Sequence, residues 1–408
     1  MAAVAFIALM GAAGFRAAPG PLMIPLNEEF GWSITSMSSA VSLNILLYGL
    51  TAPFAASLID RLGIRVVTMS ALALIAAGAG LTIFAQSEWV LFLTWGLLIG
   101  LGTGSMALVF AAEISGTWFV KRRGLVTGVL TAGSATGQLV FLPLVASLAE
   151  NVGWRQASLA IAATALAVVP LVYFFIRNHP SDFGVDAFGA KPGTTPPRVK
   201  KTGSVRRALS TLKDASRTGT FWALAGAFAI CGATTNGLIG VHFVPSAHDY
   251  GMSITTASGL LALVGIFDVA GTILSGWLTD RVNPRYLLVA YYTFRGVGLA
   301  FLPLLLAETI HPSIIIFVVV YGLDWVATVP PTVALCREYF GDRAGIVFGW
   351  VFASHQVGAA IASTVAGVVR DSFGTYTYAW LGGALLCVLA AIFSFIVKPP
   401  RARVLRER

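Results

Sequence analysis

Seven acidic, basic or imidazole side chains stand inside segments that are otherwise apolar: Arg16, Glu113, His242, Asp268, Arg295, Asp324 and His355. In a bilayer core a charge costs roughly 2.5–3.5 kcal/mol on insertion scales, so each asks for a partner or a wet cavity. An arginine in such a cavity is a binding group for an anion, because its planar fork of donors matches a carboxylate. A buried acid or imidazole there can carry a proton, since low dielectric favours the neutral acid and imidazole titrates near neutrality. A helical rise of about 1.5 Å per residue sets Asp268 about 18 Å and Arg295 about 15 Å from the same face, counted from Asp280 and Arg285. Lying on consecutive segments at similar depth, the two are expected to meet, either as a structural ion pair or as one that a proton or a bound anion opens. Arg16 lies about 18 Å from the opposite face, counted from Glu28. Glu113 is at similar depth and is its expected partner. Asp324 and His355 come out near 20 Å deep. Asp268 and Asp324 are the candidates for proton coupling. Arg16, Asn236, Asn44, Gln138 and His355 form the candidate binding set; His355, and more weakly His242, is also a candidate to carry a proton.

These residues need membrane-spanning helices to hold them. Charged residues make up 11% of the 408 and apolar residues 57%, with mean hydropathy +0.81; an ordinary soluble chain carries about 25% charged residues. Twelve apolar runs of bilayer-spanning length are readable: about 3–26, 35–59, 66–86, 89–115, 123–148, 155–177, 219–246, 253–279, 286–307, 312–335, 344–368 and 374–397. The first lacks a basic n-region and runs on too long for a cleavable leader, so a retained helix is expected. Within it "GFRAAPGPLMIP" sets Arg16 just ahead of Pro19, Pro21 and Pro25, and continuous helix through the prolines is not expected. One polar interruption, "KPGTTPPRVKKTGS", marks a linker. The expected division is an amino-terminal bundle 1–178, a linker 179–218, a carboxy-terminal bundle 219–398 and a basic tail 399–408.

Charge placement sets an orientation. Of the 27 Lys and Arg, 23 fall on the side that would carry both chain ends, which the positive-inside rule reads as cytoplasmic. The net charge of +9 is therefore a topology signal rather than a nucleic-acid surface. Cys231, Cys336 and Cys387 have no metal or disulfide spacing and read as small buried apolar groups. "GLGTG" at 100–104 lies inside a span with no preceding strand, and no Walker loop, HExxH or nucleophile elbow appears. No enzyme, cofactor, metal, nucleic-acid partner or obligatory protein partner is expected; lipid and a gradient-driven solute are.

The two halves repeat. "DRLGIR" (60–65) returns as "DRVNPR" (280–285), "RGLVTGVLTAG" (123–133) as "AGIVFGWVFAS" (344–354), and "FGWS" (30–33) as "YGMS" (250–253), at offsets of 220 and 221. Two six-helix bundles related by a pseudo-twofold axis follow, with a binding site between them. Gly124, Gly128, Ala132 and Thr136 share one helical stripe on the fifth span, and Gly345, Gly349 and Ala353 repeat it on the eleventh. Such stripes let helices approach closely, and they are expected where one bundle rocks on the other. Arg16 has Asn236 as its counterpart, an asymmetry that suits a ligand charged at one end.

Asp60, Gly63 and Arg65, with Gly276, Asp280 and Arg285 in the second copy, resemble the loop signature of the major facilitator superfamily. That resemblance implies an all-α membrane protein of twelve helices. It also implies a cytoplasmic gate built from Asp60, Arg61, Arg65, Asp280, Arg281 and Arg285. "WFVKRRGLVTGVLTAG" (118–133) is similar to the fifth-helix signature of proton-linked monocarboxylate transporters, through Phe119, Lys121, Arg122, Arg123, Leu125, Gly128, Ala132 and Gly133. It implies small carboxylates as substrates, with protons moving alongside. That family carries Asp-x3-Arg on the eighth helix; here Asp268 fits and Thr272 replaces the arginine. Its first-helix lysine is absent, and Arg16 lies about one turn before that place. The function expected is secondary transport of small organic anions, with proton-coupled monocarboxylate symport ahead of anion exchange, export of drug-like compounds, or sensing without flux.

Overall fold

The computed structural model describes residues 1–16, 18–106, 108–191 and 204–397. The centre of the expected linker and the basic tail lie outside them, as do the side chains of Asp60 and Arg123. The first rod is α1 (Ala2–Arg16) followed by α2 (Pro19–Phe30); the second and third are α3 (Ile34–Leu62) and α4 (Ile64–Thr82). The fourth joins α5 (Glu88–Leu91), a π-helical stretch Phe92–Ile99, α6 (Gly100–Ser105) and α7 (Leu108–Trp118). α8 (Arg123–Asn151) and α9 (Trp154–Phe175) complete this half, and α10 (Ser204–Ala215) lies between the halves in sequence. The seventh rod is α11 (Gly219–Gly232), a π-helical stretch Ala233–Ile239 and α12 (Gly240–Asp249). α13 (Ile254–Thr279) and α14 (Pro284–Leu305) follow, then a tenth rod split into α15 (Pro312–Asp324) and α16 (Val329–Phe340), then α17 (Ala344–Phe373) and α18 (Thr377–Ile396). Nine runs among the described residues are long and apolar enough to cross a membrane. One of these, Pro312–Phe373, folds back through Gly341–Arg343 and so crosses twice.

Local chemistry places the helix ends. Ser33 and Ser253, one repeat apart, each accept the backbone N–H three residues on, from Ser36 and Thr256; N-caps of this kind satisfy donors that the first turn leaves free. Gly31 and Gly374 end α2 and α17 in the left-handed conformation, at φ 66° and 68°, which costs glycine no Cβ clash. α1 stops at Arg16 because Pro19 has no N–H to continue it. The guanidinium therefore stands at a helix C-terminus, where free carbonyls favour a cation.

The halves meet along α3 against α17 and α8 against α13, with α2 against α12 between them. These interfaces are tight at the face bearing Gly31, Gly153, Gly251 and Gly374. There a Cβ on Gly367 would sit 2.9 Å from the Thr35 Cα. Toward the face that carries the chain ends the bundles part, and Gly128, Gly276, Gly345 and Gly349 look onto open space. Gly128, Gly345 and Gly349 therefore make no close interhelical contact in this conformation. On the fifth rod Gly133 and Gly137 are closely packed and seat α8 on α1: a Cβ at Gly137 would lie 2.6 Å from the Met10 carbonyl oxygen. Gly137→Val should separate α1 from α8, costing about 1–3 kcal/mol, and thermal denaturation in detergent should show a lowered midpoint, whereas Gly128→Val should leave it unchanged.

Candidate functional site

A cavity of about 1100 Å³ lies between the bundles and opens on the face of the chain ends, past Leu125, Thr127 and Gly128 on α8 and Thr272 and Ile273 on α13. A narrower extension reaches Asn44 and Leu142 toward the closed face. Arg16, Asn236, Gln138, His355 and Asp268 all border this space, and Asn44 borders the extension. Residues far apart in sequence thus converge, as the repeat anticipated. Arg16 and Asn236 occupy matching irregularities, one at the break between α1 and α2, the other in the π-helical stretch of the seventh rod. Non-α geometry of this kind recurs at functional sites because it turns backbone and side chains into a cavity.

The Arg16 guanidinium carbon lies 4.5 Å from the centre of the Tyr48 ring, and its NH1 donates to the Tyr48 hydroxyl at 3.3 Å. No described carboxylate is within ion-pair distance of it. The expected partner, Glu113, instead accepts from the Thr117 hydroxyl at 3.2 Å, one turn along its own helix, and does not line the cavity. That pairing is corrected: equal depth placed Glu113 at the right height, but depth does not fix which way a side chain faces. A cation–π contact leaves the donors of a guanidinium free at its edge, so Arg16 can still receive an anion.

The expected pairing of Arg295 with Asp268 is also corrected. Arg295 Nε donates to Asp324 Oδ2 at 2.6 Å, its NH2 to the Asp324 and Trp325 carbonyls at 2.7 and 3.4 Å, and its NH1 to the Cys231 sulfur at 3.0 Å. Arg295 is 1% exposed and Asp324 4%. Neither borders the central cavity; both lie beside a separate apolar cavity of about 290 Å³ on the outer side of α14 and α15. Asp324 is therefore placed as the structural partner of Arg295 and not beside the solute path. Asp268 Oδ1 accepts the Val326 N–H at 3.0 Å and the Thr272 hydroxyl at 3.1 Å. The common element is the break at 325–328 in the tenth rod, which Pro330 and Pro331 stop from closing into helix. Asp268 takes a freed N–H and Arg295 takes freed carbonyls, so the two charges face each other across one broken helix. Thr272, standing where the resembling family has arginine, steadies Asp268 instead.

His355 is 8% exposed and stacks between Phe352 and Phe228, with ring centres 5.8 and 4.9 Å away, and its Nδ1 has no hydrogen-bond partner. His242 is buried against Tyr376 and the Ser363 carbonyl, outside the cavity. Asn44 gives its amide to the Trp95 carbonyl at 2.7 Å, so its role in the wall is partly structural. Tyr48, Gln356, Phe352 and Trp325 complete the lining. They were not in the expected set, because an uncharged or aromatic residue in an apolar run carries no signal against the core that surrounds it.

At the face of the chain ends the described gate residues contact their own halves. Arg65 stacks on Tyr173 at 4.1 Å and donates its backbone N–H to Asn178 at 3.2 Å. Arg281 stacks on Trp277 at 4.1 Å, and Arg285 reaches the Val397 carbonyl. Arg61 is exposed, and Asp280 caps α13. No ion pair links the two halves there among the described residues, as suits an open mouth. In the signature loop, the Val120 and Lys121 N–H groups share the Phe188 carbonyl, Phe119 packs on Phe188 at 6.0 Å, and Arg122 turns at φ 59°. This fastens the loop before α8 to the start of the linker.

The sequence profile of the Major Facilitator Superfamily matches residues 5–329 and 231–408. The chain belongs to the Major Facilitator Superfamily. It is 24% identical over 397 residues to the uncharacterized MFS-type transporter YcxA of Bacillus subtilis (strain 168), covering 96% of this chain and 92% of that one. It is 28% identical over 376 residues to monocarboxylate transporter 12-B of Danio rerio (85% and 76%), and 27% identical over 402 residues to monocarboxylate transporter 13 of Rattus norvegicus (92% and 85%). Its fold matches a solved bacterial homolog of the human lysosomal transporter Spinster, with TM-score 0.70 at 16% identity over 97% of this chain and 95% of that one. This major facilitator is an integral membrane transporter and not an enzyme. Its buried Arg295–Asp324 pair gives a stability test, because removing one member of a buried pair costs roughly 3–5 kcal/mol while replacing both by apolar residues is often neutral. Arg295→Met or Asp324→Leu alone should lower the melting midpoint of the detergent-solubilised protein sharply, and the double variant should regain most of it.

Proposed function

We propose that this transporter carries monocarboxylates with an apolar body, together with a proton, by alternating exposure of the central cavity. The supporting observation is Arg16: a cation held on an aromatic ring at the neck of the cavity, with no carboxylate partner among the described residues. A single free guanidinium suits one carboxylate better than two. The walls contributed by Phe228, Phe352, Trp325 and Met106 suit an apolar remainder, and Asn236, Gln138 and Gln356 supply hydrogen bonds around it. The likeness to monocarboxylate transporters 12-B and 13 agrees with this substrate class. Asp268 is the proposed proton carrier. Its Oδ1 is committed to the broken helix, no described group donates to Oδ2, and the same cavity reaches it. Protonation would change the grip of Asp268 on the Val326 N–H, which couples the proton to the tenth rod. In this reading the Lys- and Arg-rich face is cytoplasmic, the cavity opens inward, and the protein resides in the cell membrane.

Losing a buried, hydrogen-bonded charge contact costs about 2–5 kcal/mol, roughly 30-fold or more in affinity. Arg16→Gln should therefore purify as a folded monodisperse protein yet take up short and aromatic monocarboxylates into proteoliposomes at least that much less well at low substrate. Unimpaired uptake would remove Arg16 from the site. Asp268→Asn keeps the Oδ1 acceptor and loses the titrating group. It should retain counterflow of labelled substrate and lose accumulation driven by an inward proton gradient; retained uphill accumulation excludes Asp268 as the carrier.

A further inference from the structure

The closed face is bolted at two symmetry-related places. At the end of α8, Glu150 Oε2 accepts the backbone N–H of Thr255 at 2.9 Å, in the first turn of α13. At the end of α17, Asp371 Oδ2 accepts the Thr35 N–H and hydroxyl at 2.7 and 2.6 Å, and its Oδ1 accepts the Ile34 N–H at 3.3 Å, in the first turn of α3. Glu150 and Asp371 stand 221 residues apart and Thr35 and Thr255 220 apart, the same offsets as the internal repeat. Each bond runs from one bundle to the other, in opposite directions.

The chemistry of the two contacts is the same. A helix start leaves N–H groups unpaired and carries partial positive charge. Ser33 and Ser253 cap one donor each from within their own bundle, and the donors left over go to a carboxylate of the other bundle. Two neighbouring acids behave differently. Glu29 is bonded by Arg155 at 2.7 and 3.0 Å, and Asp249 by Arg370 at 2.6 and 2.9 Å, each pair inside one bundle. Among the described residues, Glu150 and Asp371 form no ion pair. What holds them is helix backbone that withdraws when the bundles part.

We propose that Glu150 and Asp371 are twin latches of the transport cycle: two charged caps that keep this face shut and that must both release before it opens. They are positioning residues and touch no solute. The proposal rests on the fold and on none of the substrate assignments. Once released, water can satisfy both partners, so each latch is expected to bias the closed state on the order of tenfold, in line with a charge-assisted hydrogen bond exchanged for solvent.

The test uses the purified full chain in lipid nanodiscs, with nitroxide labels on Val152→Cys and Tyr250→Cys, exposed residues on opposite bundles at this face; the native cysteines are buried. Glu150→Gln/Asp371→Asn should move the pulsed-EPR distance distribution toward longer separations, raising the open-to-closed ratio at least tenfold. The shorter and longer acids Glu150→Asp and Asp371→Glu should restore part of the closed population. Glu29→Gln, which breaks a bond inside one bundle, should leave the distribution unchanged. Thr255→Pro removes the N–H that Glu150 grips at a first-turn position where proline is tolerated, and it should reproduce the Glu150→Gln shift. An unchanged distribution in the double variant, or an equal shift from Glu29→Gln, overturns the proposal.

Discussion

Lipid offers no hydrogen bonds, so every place where a helix is interrupted in this protein must bring its own partners. The break in the tenth rod shows what this constraint builds. Freed N–H and C=O groups at 325–328 draw in Asp268 from α13 and Arg295 from α14, and the need to neutralise Arg295 then recruits Asp324. Three charged residues at membrane depth are thereby explained by one broken helix. Of the three, only Asp268 borders the cavity, which separates the charge that can take part in transport from the two that hold the rod in shape.

The same constraint accounts for the solute path. The first and seventh rods are interrupted at matching points of the repeat, by prolines after Arg16 in one and by a π-helical stretch around Asn236 in the other. Both interruptions face the space between the bundles, where water can reach them. Equivalent positions thus carry a cation in one half and an amide in the other. A pseudo-twofold scaffold with an asymmetric pair at its centre suits an asymmetric solute; in the function proposed above, its anionic end meets Arg16 and its apolar body lies among Phe228, Phe352 and Trp325.

Closure of the opposite face uses helix-end chemistry beside side-chain contacts such as Glu28 with His248 at 3.8 Å and Thr364 with Ser42 at 2.8 Å. Glu29 and Asp249 meet arginines and brace single bundles, while Glu150 and Asp371 meet helix starts of the other bundle and join the two. An arginine–carboxylate pair stays satisfied while its bundle moves as a rigid body. A cap across the interface is lost as soon as the helix start moves away, so it acts on the equilibrium between open and closed forms.

Much of the architecture was legible in the residues. Apolar runs of bilayer length, the lopsided distribution of Lys and Arg, and matched motifs at one offset determined twelve spans in two related bundles, because lipid and the positive-inside rule act on composition and order alone. Arg16, Asn44, Gln138 and His355 could be named as candidates for a binding site and Asp268 for proton coupling, since the depths of Arg16, Asp268 and His355 follow from counting along a helix of known rise, and the repeat pointed to Asn236. The azimuth of each helix could not be counted. It depends on which neighbour each face packs against, so only the tertiary structure turned Glu113 away from Arg16, gave Arg295 to Asp324, put Tyr48 under the guanidinium, and set Glu150 and Asp371 onto the helix starts of the other bundle.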